Sequence, residues 1–221
     1  MKLKLWAALI VLVVGLVVAM QWMAETQRAG KPQRVDLMTD KMKRVTGAQE
    51  KKPKPQINAT KQPGRVVVLN TNRGAIEFVL YEKDCPKTTA RISELVAGGF
   101  YDGVRFPRVE DWVIQTEPAK KETPPMGIEI VDGLTHAKGT VGMARTDDPN
   151  SNTSIFYITL EPAFHLDMEY TNFGRVIKGM DVAMNIQTGD LIKSAKLRAL
   201  TDNDKKLFNE ALKAESDRRT Q

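Results

Sequence analysis

Alternating apolar and polar positions between residues 65 and 200 predict a domain built mainly from short β-strands. Residues 66–69 form a continuous apolar run, residues 72–74 a turn, and residues 75–81 alternate with a period of two, which together indicate a hairpin. Further strand-like runs, separated by Gly, Pro, Asp and Asn, occupy residues 104–109, 112–116, 139–143, 155–160, 172–177 and 192–200. So many short strands in one domain favour a closed antiparallel barrel.

Helical spacing marks three further segments. Pro86 suits the first turn of a helix, which the Gly98-Gly99 pair would end. Residues 180–187 have the pattern of a second short helix, and we expect these two helices to cap the barrel. Residues 203–216 predict a C-terminal helix with a narrow apolar stripe formed by Leu207, Phe208, Ala211 and Leu212.

The N-terminal segment, residues 5–24, is apolar except for Gln21. As a helix, a run of this length spans about 30 Å, which matches the hydrocarbon core of a bilayer. The run predicts a single-pass anchor in the inner membrane, with a cleaved signal peptide, and hence secretion, as the alternative. The positive-inside tendency favours a cytoplasmic domain, because basic residues follow the run: Arg28, Lys31 and Arg34. The position of the run near the N-terminus resembles an export signal, and long domains are translocated largely regardless of charge, so the sequence predicts a periplasmic or otherwise extracytoplasmic domain.

The net charge of +6 is carried outside the predicted folded part. Residues 25–64 contain ten Lys and Arg, four Asp and Glu, and four prolines, and so predict a basic linker. Residues 65–221 carry a net charge of −2, which argues against a nucleic-acid partner because a binding domain carries its own basic face. The chain therefore divides into an anchor or signal (1–24), a linker (25–64), a folded domain (65–200) and a C-terminal helix and tail (201–221).

The stretch from Arg105 to Gln115 places an arginine among apolar residues. If it forms strands, a period of two puts Phe106 and Arg108 on one face. An arginine beside an aromatic side chain is either a salt-bridged surface residue or a hydrogen-bond donor aimed into an apolar cleft, and both interpretations stay open at this point. Metal chemistry is not indicated, because His136 and His165 lack the spacing of a ligand set.

Four motifs follow one another between residues 65 and 200: GAIEFVLYEKDCPKTTARISELVAGGFYDGVRFPRV, WVIQ, GTVGMARTDDPNSNTSIFYITL and HLDMEYTNFGRVIKGMDV. In this order they resemble the motifs of a bacterial cyclophilin-type peptidyl-prolyl cis-trans isomerase. The resemblance implies a mainly β, closed eight-stranded antiparallel barrel capped by two helices. It also implies X–Pro isomerisation during protein folding without a cofactor or metal, proline-containing unfolded or extended chains as partners, and a monomeric catalytic domain.

The resemblance assigns roles to individual side chains. Arg108 matches the catalytic arginine, which donates a hydrogen bond to the prolyl nitrogen in an apolar cleft, and Gln115 matches the glutamine that orients it. The implied proline pocket consists of Trp112, Val113, Tyr157 and Leu166. Ala144 and Arg145 match the segment whose backbone binds the extended peptide. Phe106 and Tyr170 are two further implied substrate-binding positions.

Four positions depart from the family pattern. Pro107 replaces the usual histidine, the Glu110-Asp111 turn is one residue shorter, Thr116-Glu117 replaces a glycine pair, and Ile155 replaces a substrate-contacting glutamine. One lost neutral hydrogen bond changes a free energy by about 1 kcal/mol, which is under tenfold in rate. Two alternatives to catalysis therefore remain: a non-catalytic, proline-peptide-binding chaperone and a membrane-tethered scaffold.

Overall fold

The computed structural model describes residues 59–219. The anchor or signal predicted for residues 5–24, and most of the predicted linker, lie outside this part of the chain. Within it, no helix is both long enough and apolar enough to cross a membrane. The described part comprises the end of the predicted linker, the β-domain and the C-terminal helix.

Eight strands form one antiparallel sheet, which confirms the mainly β prediction. Along the sheet the strands follow the order β3-β4-β6-β5-β7-β2-β1-β8. The strands are β1 (Val66–Thr71), β2 (Ala75–Leu80), β3 (Arg108–Glu110), β4 (Val113–Gln115), β5 (Thr140–Met143), β6 (Phe156–Thr159), β7 (Asn172–Lys178) and β8 (Ile192–Arg198).

The sheet is curled, and its two end strands, β3 and β8, approach each other through the segments that precede them. Arg105 and Leu191 form an isolated antiparallel bridge, and the backbone N–H of Phe106 donates to the carbonyl of Asp190 at 2.9 Å. No ladder joins β3 to β8 themselves. The predicted closed ring of strands is therefore not confirmed.

Aromatic side chains fill the inside of the curled sheet. The ring of Phe78 on β2 lies 6.1 Å from that of Phe156 and 6.3 Å from that of Phe173. Tyr101 packs edge-on against Phe156 at 5.4 Å, and its hydroxyl donates to the Ser154 carbonyl at 2.7 Å. Burial of these large rings stabilises the sheet that carries the site residues.

Within residues 59–219, four helical elements accompany the sheet: α1 (Pro86–Ala97), a 3₁₀ turn (Phe164–Leu166), α2 (Met180–Met184) and α3 (Asp202–Arg219). Helix α1 begins at Pro86, as its sequence predicts, because a proline at the first helical position lacks only an N–H that no helical carbonyl would accept. It ends at Ala97 with Gly98 as its C-cap, and Gly99 follows with a φ of 69°, a conformation that glycine adopts without strain.

The folded body includes residues 59–64, which the sequence pattern assigns to the linker. The backbone N–H groups of Thr60 and Lys61 donate to the two carboxylate oxygens of Asp84 at 2.8 and 3.0 Å. The N–H of Gly64 donates to the Leu80 carbonyl at 2.7 Å. A buried aspartate that accepts two backbone N–H groups fixes this segment onto the start of α1.

Helix α3 packs onto the sheet through one face. Phe208 is buried and meets the ring of Tyr81 edge-on at 6.0 Å. Near the C-terminal end of α3, the carboxylate of Glu215 pairs with the buried guanidinium of Arg175 on β7. The helix therefore shares the core of the β-domain, and the predicted C-terminal helix is confirmed.

Candidate active site

The β3–β4 hairpin places Arg108 beside Gln115. The two strands pair Arg108 with Gln115 and Glu110 with Val113, which leaves Asp111 and one other residue, Trp112, as a two-residue loop. Directly opposite residues on antiparallel strands project their side chains to the same face. The Arg108 Nη1 accordingly donates to the Oε1 of Gln115 at 3.2 Å.

The same row of partners continues across the sheet. Gln115 on β4 pairs with Tyr157 on β6, and Tyr157 pairs with Gly142 on β5. A Cβ atom at position 142 would lie 2.4 Å from the Tyr157 ring, so only glycine leaves room for the ring at this place. Arg108, Gln115 and Tyr157 thus stand side by side because of strand register alone.

A cavity of about 160 Å³ opens above this row. Its walls come from β3, β4, β6, the end of β5, the 3₁₀ turn and the loop before β7. The lining residues are Arg108, Trp112, Val113, Gln115, Ala144, Arg145, Tyr157, Leu166 and Tyr170. The structure therefore brings together every side chain that the sequence assigned to a site, except Phe106.

Phe106 is fully buried in the hydrophobic core and does not line the cavity. The shared strand face expected for Phe106 and Arg108 is not observed, since the ladder of β3 begins only at Arg108. Pro107 lies between them and has no N–H to donate to a ladder, so the period of two does not extend across it. The side chain of Arg108, in contrast, is 43% exposed.

Arg108 is both salt-bridged and part of the cavity wall. Its Nε donates to the Oε1 of Glu110 at 2.7 Å, and its Cζ lies 5.4 Å from the centre of the Trp112 ring. The indole N–H of Trp112 donates to the other oxygen of Glu110 at 2.9 Å. The hydrogen bond from Arg108 holds the pKa of Glu110 below its usual range, so this carboxylate is ionised at neutral pH. The sequence pattern indicates only a turn at Glu110, although the i, i+2 spacing of Glu110 from Arg108 on a strand puts both side chains on one face.

The inner wall of the cavity is aromatic and apolar. Tyr157 and Tyr170 meet edge to face at 6.4 Å, while Trp112 meets the ring of His165 at 5.5 Å. Val113 is buried on β4. Such walls strengthen any hydrogen bond made inside them, because they exclude water.

A buried hydrogen-bond chain lies behind Tyr157. The Tyr157 hydroxyl is 2.9 Å from Nε2 of His136, and Nδ1 of His136 is 2.9 Å from a carboxylate oxygen of Asp167. The same oxygen accepts the backbone N–H of His136 at 2.7 Å. A carboxylate on Nδ1 selects the tautomer with its proton on that atom, which leaves Nε2 to accept from Tyr157. Burial raises the pKa of Tyr157, so its hydroxyl stays protonated and donates. In the sequence, His136 is a candidate only for metal binding, and no sequence pattern connects it to Asp167 or Tyr157.

Arg145 closes the opposite rim. Its guanidinium lies 4.3 Å above the ring of Tyr170, and its Nε and Nη2 donate to the carbonyl of Glu169 at 3.2 and 3.1 Å. Its Nη1 donates to the Thr146 carbonyl at 2.7 Å. These bonds tie the loop after β5 to the segment before β7, so the side chain is fixed as part of the wall.

Metal ligands do not gather in the described part of the chain. Among residues 59–219, no group of three or more His, Cys, Asp and Glu side chains is arranged to hold a metal ion. Cys85 is a buried free thiol whose pKa burial raises. It is therefore not a reactive thiolate at neutral pH.

The family model for "Cyclophilin type peptidyl-prolyl cis-trans isomerase/CLD" matches residues 66–204. The chain belongs to this family. Cyclophilin relatives with 38% and 37% identity are peptidyl-prolyl cis-trans isomerase 10 of Caenorhabditis elegans and a peptidyl-prolyl cis-trans isomerase of Acinetobacter baylyi. The first alignment covers 55% of this chain and 81% of the relative, and the second covers 59% and 76%.

Solved cyclophilin structures share the fold. A Cryptosporidium parvum cyclophilin-type isomerase, crystallised in the presence of the dipeptide Ala-Pro, superposes with a TM-score of 0.57 at 25% identity over 61% of this chain and 99% of that one. Cyclophilin AquaCyp293 from Hirschia baltica superposes with a TM-score of 0.55 at 21% identity, over 61% of this chain and 74% of that one. This cyclophilin is thus an isomerase by family, as its motifs predict.

Proposed function

We propose that this cyclophilin accelerates the cis–trans isomerisation of X–Pro bonds in extended or unfolded polypeptides, with Arg108 as the donor to the prolyl nitrogen. The observation that supports the proposal is the position of the Arg108 guanidinium, which is held by Gln115 at the wall of a small cavity lined by aromatic and apolar side chains. The proposal makes Gln115 a residue that orients the arginine.

The isomerisation requires only a well-placed hydrogen-bond donor. The barrier to rotation about a peptide bond is about 18–20 kcal/mol, because rotation breaks amide resonance. In the twisted state the prolyl nitrogen regains a lone pair, so a hydrogen bond to that nitrogen is stronger in the transition state than in either ground state. Such differential binding lowers the barrier without a nucleophile or a proton transfer.

Arg108 has one nitrogen free for this role. Nε and Nη1 donate to Glu110 and Gln115, whereas Nη2 makes no hydrogen bond within residues 59–219. The plane of the guanidinium fixes the direction in which Nη2 donates. We therefore assign the donor atom to Nη2.

The cavity has the size of a proline ring. A cavity of about 150 Å³ in another protein admits benzene, and the pyrrolidine ring is smaller than benzene. The cavity near Arg108 has a volume of about 160 Å³. In this proposal Trp112, Val113, Tyr157 and Leu166 hold the ring, and the backbone at Ala144 and Arg145 holds the flanking peptide. The dipeptide Ala-Pro used with the Cryptosporidium parvum relative supports this substrate class.

Arg108→Ala tests the assignment. We expect the full-length variant to lose about 10²-fold in kcat/KM, the effect of removing one preorganised transition-state donor. Arg108→Lys should recover part of the loss, because lysine keeps the charge but not the planar fork. NMR exchange or a protease-coupled assay on a short Ala-Pro peptide would measure both variants.

Arg105→Ala is the matched control. Arg105 is an exposed arginine three residues earlier that donates to the Gly189 carbonyl and does not line the cavity. Its loss should change kcat/KM by less than about twofold, since surface substitutions of this kind are nearly neutral. An Arg108→Ala variant as active as Arg105→Ala would rule out the donor role.

A second function, proline-peptide binding without catalysis, draws on two observations. The salt bridge to Glu110 partly neutralises Arg108, and Ile155 has no hydrogen-bonding side chain at the position where the family pattern has a glutamine. Saturable binding of the Ala-Pro peptide by the wild type, together with no acceleration of its isomerisation, would favour this second function and refute the first.

A further inference from the structure

Glu110 connects the two side chains that matter most in the proposed reaction. One carboxylate oxygen accepts from the Nε of Arg108 at 2.7 Å, and the other accepts from the indole N–H of Trp112 at 2.9 Å. The first side chain is the proposed donor and the second is a wall of the proline pocket. A single carboxylate therefore contacts both the proposed donor and a wall of the pocket.

The short hairpin makes this bridge possible. Arg108 and Glu110 are two residues apart on β3, so they share a face. Because Glu110 pairs with Val113, the loop holds only two residues, and Trp112 folds back beside Glu110. The turn that is one residue shorter than the family pattern thus coincides with an acidic residue that contacts both neighbours.

The bridge contributes little to the stability of the fold. The side chains of Arg108 and Glu110 are 43% and 46% exposed, and exposed ion pairs of this kind add little to protein stability. Gln115 alone would hold the guanidinium by one neutral contact, about which the fork is free to swing. With Glu110 as a second acceptor on Nε, the plane of the guanidinium is defined and Nη2 has one direction.

We propose that Glu110 is a positioning residue of this cyclophilin: it orients Arg108 and Trp112 relative to each other so that Nη2 is directed at the prolyl nitrogen of a bound substrate. The inference rests on the proposed isomerase function. Glu110 itself does not line the cavity, so it acts through its two partners. We expect the loss of Glu110 to lower kcat more than it changes KM, because a proline ring in a misaligned pocket is still bound but is less often within reach of the donor.

Full-length Glu110→Ala and Glu110→Gln variants test this role against Asp111→Asn. Asp111 is the next residue of the same turn and makes no hydrogen bond or ion pair within residues 59–219, so its substitution removes the same charge without breaking the bridge. We expect kcat on the Ala-Pro peptide to fall about tenfold in Glu110→Ala and about threefold in Glu110→Gln, which keeps one acceptor oxygen. KM should change less than about threefold, and Asp111→Asn should stay within about twofold of wild type.

The Trp112 indole N–H resonance supplies a readout that does not depend on activity. We expect it to shift in Glu110→Ala and to stay in place in Asp111→Asn, with its assignment established by its loss in Trp112→Phe. An unshifted resonance, a wild-type kcat, a faster Glu110→Ala, or an equal loss in Asp111→Asn would each overturn the inference. An inactive wild type would refute the proposed function as well, whereas an active wild type with an unaffected Glu110→Ala refutes the positioning role alone.

Discussion

Arg108 and Tyr157 are held at the cavity by partners of different origin. Arg108 is fixed by Glu110 and Gln115, which neighbour it within one hairpin. Tyr157 is fixed by His136, which precedes β5 and is in turn held by Asp167. The first arrangement is exposed and its contribution is directional. The second is buried, so it contributes to stability, because a buried polar atom that loses its partner keeps the full cost of desolvation.

We predict that Tyr157→Phe lowers the free energy of unfolding by about 1–3 kcal/mol. The variant keeps the ring against the cavity but leaves Nε2 of His136, which is 1% exposed, without its hydrogen bond. Chemical denaturation of the wild type and the variant at neutral pH would measure the difference.

Tyr170→Phe is the control for this prediction. Tyr170 faces the same cavity, but its hydroxyl makes no hydrogen bond within residues 59–219, so its removal should leave the free energy of unfolding within about 0.5 kcal/mol of wild type. Equal stabilities of the two variants would show that the contact between His136 and Tyr157 does not stabilise the fold.

At the residue level, the sequence predicts those site residues whose positions follow from strand register or from the resemblance to the family. Arg108, Gln115 and Tyr157 face one cavity because cross-strand pairing places them in a row. His136 could not be predicted as their support, since its contact with Tyr157 depends on how the loop before β5 folds back, which no local period encodes. Phe106 lies in the core and not in the cavity lining, because the period of two does not extend across Pro107, where the ladder is absent.

For the C-terminal helix α3, too, the sequence predicts the element but not its contacts with distant parts of the chain. The sequence predicts its existence and an apolar stripe around Phe208, which is buried. The apolar stripe is narrow because charged side chains form part of the buried face of α3. Asp204 and Glu215 lie on the same side at helical spacing, and each meets an arginine of the sheet, Arg198 and Arg175 respectively. Pattern analysis assigns carboxylates to solvent, and only the folded sheet supplies the partners that allow their burial.

We predict that Phe208→Ala destabilises the domain by about 3–5 kcal/mol. Phe208 is the aromatic anchor of α3 and meets Tyr81 edge-on, so its truncation opens a cavity between the helix and the sheet. Thermal and urea unfolding of the full chain would measure the loss.

Leu207→Ala is the matched control on α3. Leu207 is half-buried and lies outside the hydrophobic core. Its truncation should therefore cost less than about 1 kcal/mol, close to the median for substitutions outside the core. If Phe208→Ala were no more costly than Leu207→Ala, α3 would be an appendage of the sheet and not part of its core.

For the molecule as a whole, the sequence predicts which segments form strands more accurately than it predicts where each strand begins and ends. Residues 104–109 carry a strand pattern, yet the regular ladder covers only Arg108–Glu110, because the preceding residues pair with the segment before β8. The pattern also ended the domain at residue 65, whereas the Asp84 carboxylate binds the backbone of Thr60 and Lys61. Contacts between segments that are distant in sequence decide both points.

Buried or partly buried carboxylates join several of these distant segments. Asp204 of α3 accepts from Arg198 of β8 at 2.5 and 2.9 Å, and Asp190 accepts from Arg73 of the β1–β2 turn at 2.6 Å. The hydrogen bond from Arg198 holds the pKa of Asp204 well below its usual range. The hydrogen bond from Arg73 lowers the pKa of Asp190 to about 2.

These shifts set the direction of the response to acid. The carboxylates have a lower pKa in the folded protein than the value of about 3.9 in the unfolded chain, so the unfolded chain binds more protons as the pH falls. Their stabilising contribution is complete at neutral pH and is lost as the pH falls below about 4. For Asp190 the loss is spread between the unfolded-state value and about pH 2.

We predict that Asp204→Asn lowers the free energy of unfolding at neutral pH by about 1–3 kcal/mol. The difference from wild type should shrink as the pH falls from about 4, because protonation removes a charge from the wild-type Asp204 that the variant has already lost. Chemical denaturation at about pH 7, 4 and 3 would follow both proteins along this range.

Asp202→Asn separates the pairing of Asp204 from the mere loss of an acidic group at the start of α3. Asp202 lies on the same turn and its side chain is 97% exposed, so its bond to Lys205 is screened by water and adds little to stability. That variant should follow the wild-type pH dependence, since Asp204 and Asp190 are intact. A difference between Asp204→Asn and wild type that stays constant down to about pH 3 would mean that Asp204 stabilises α3 through shape and neutral contacts, and that its charge does not hold the helix to the sheet.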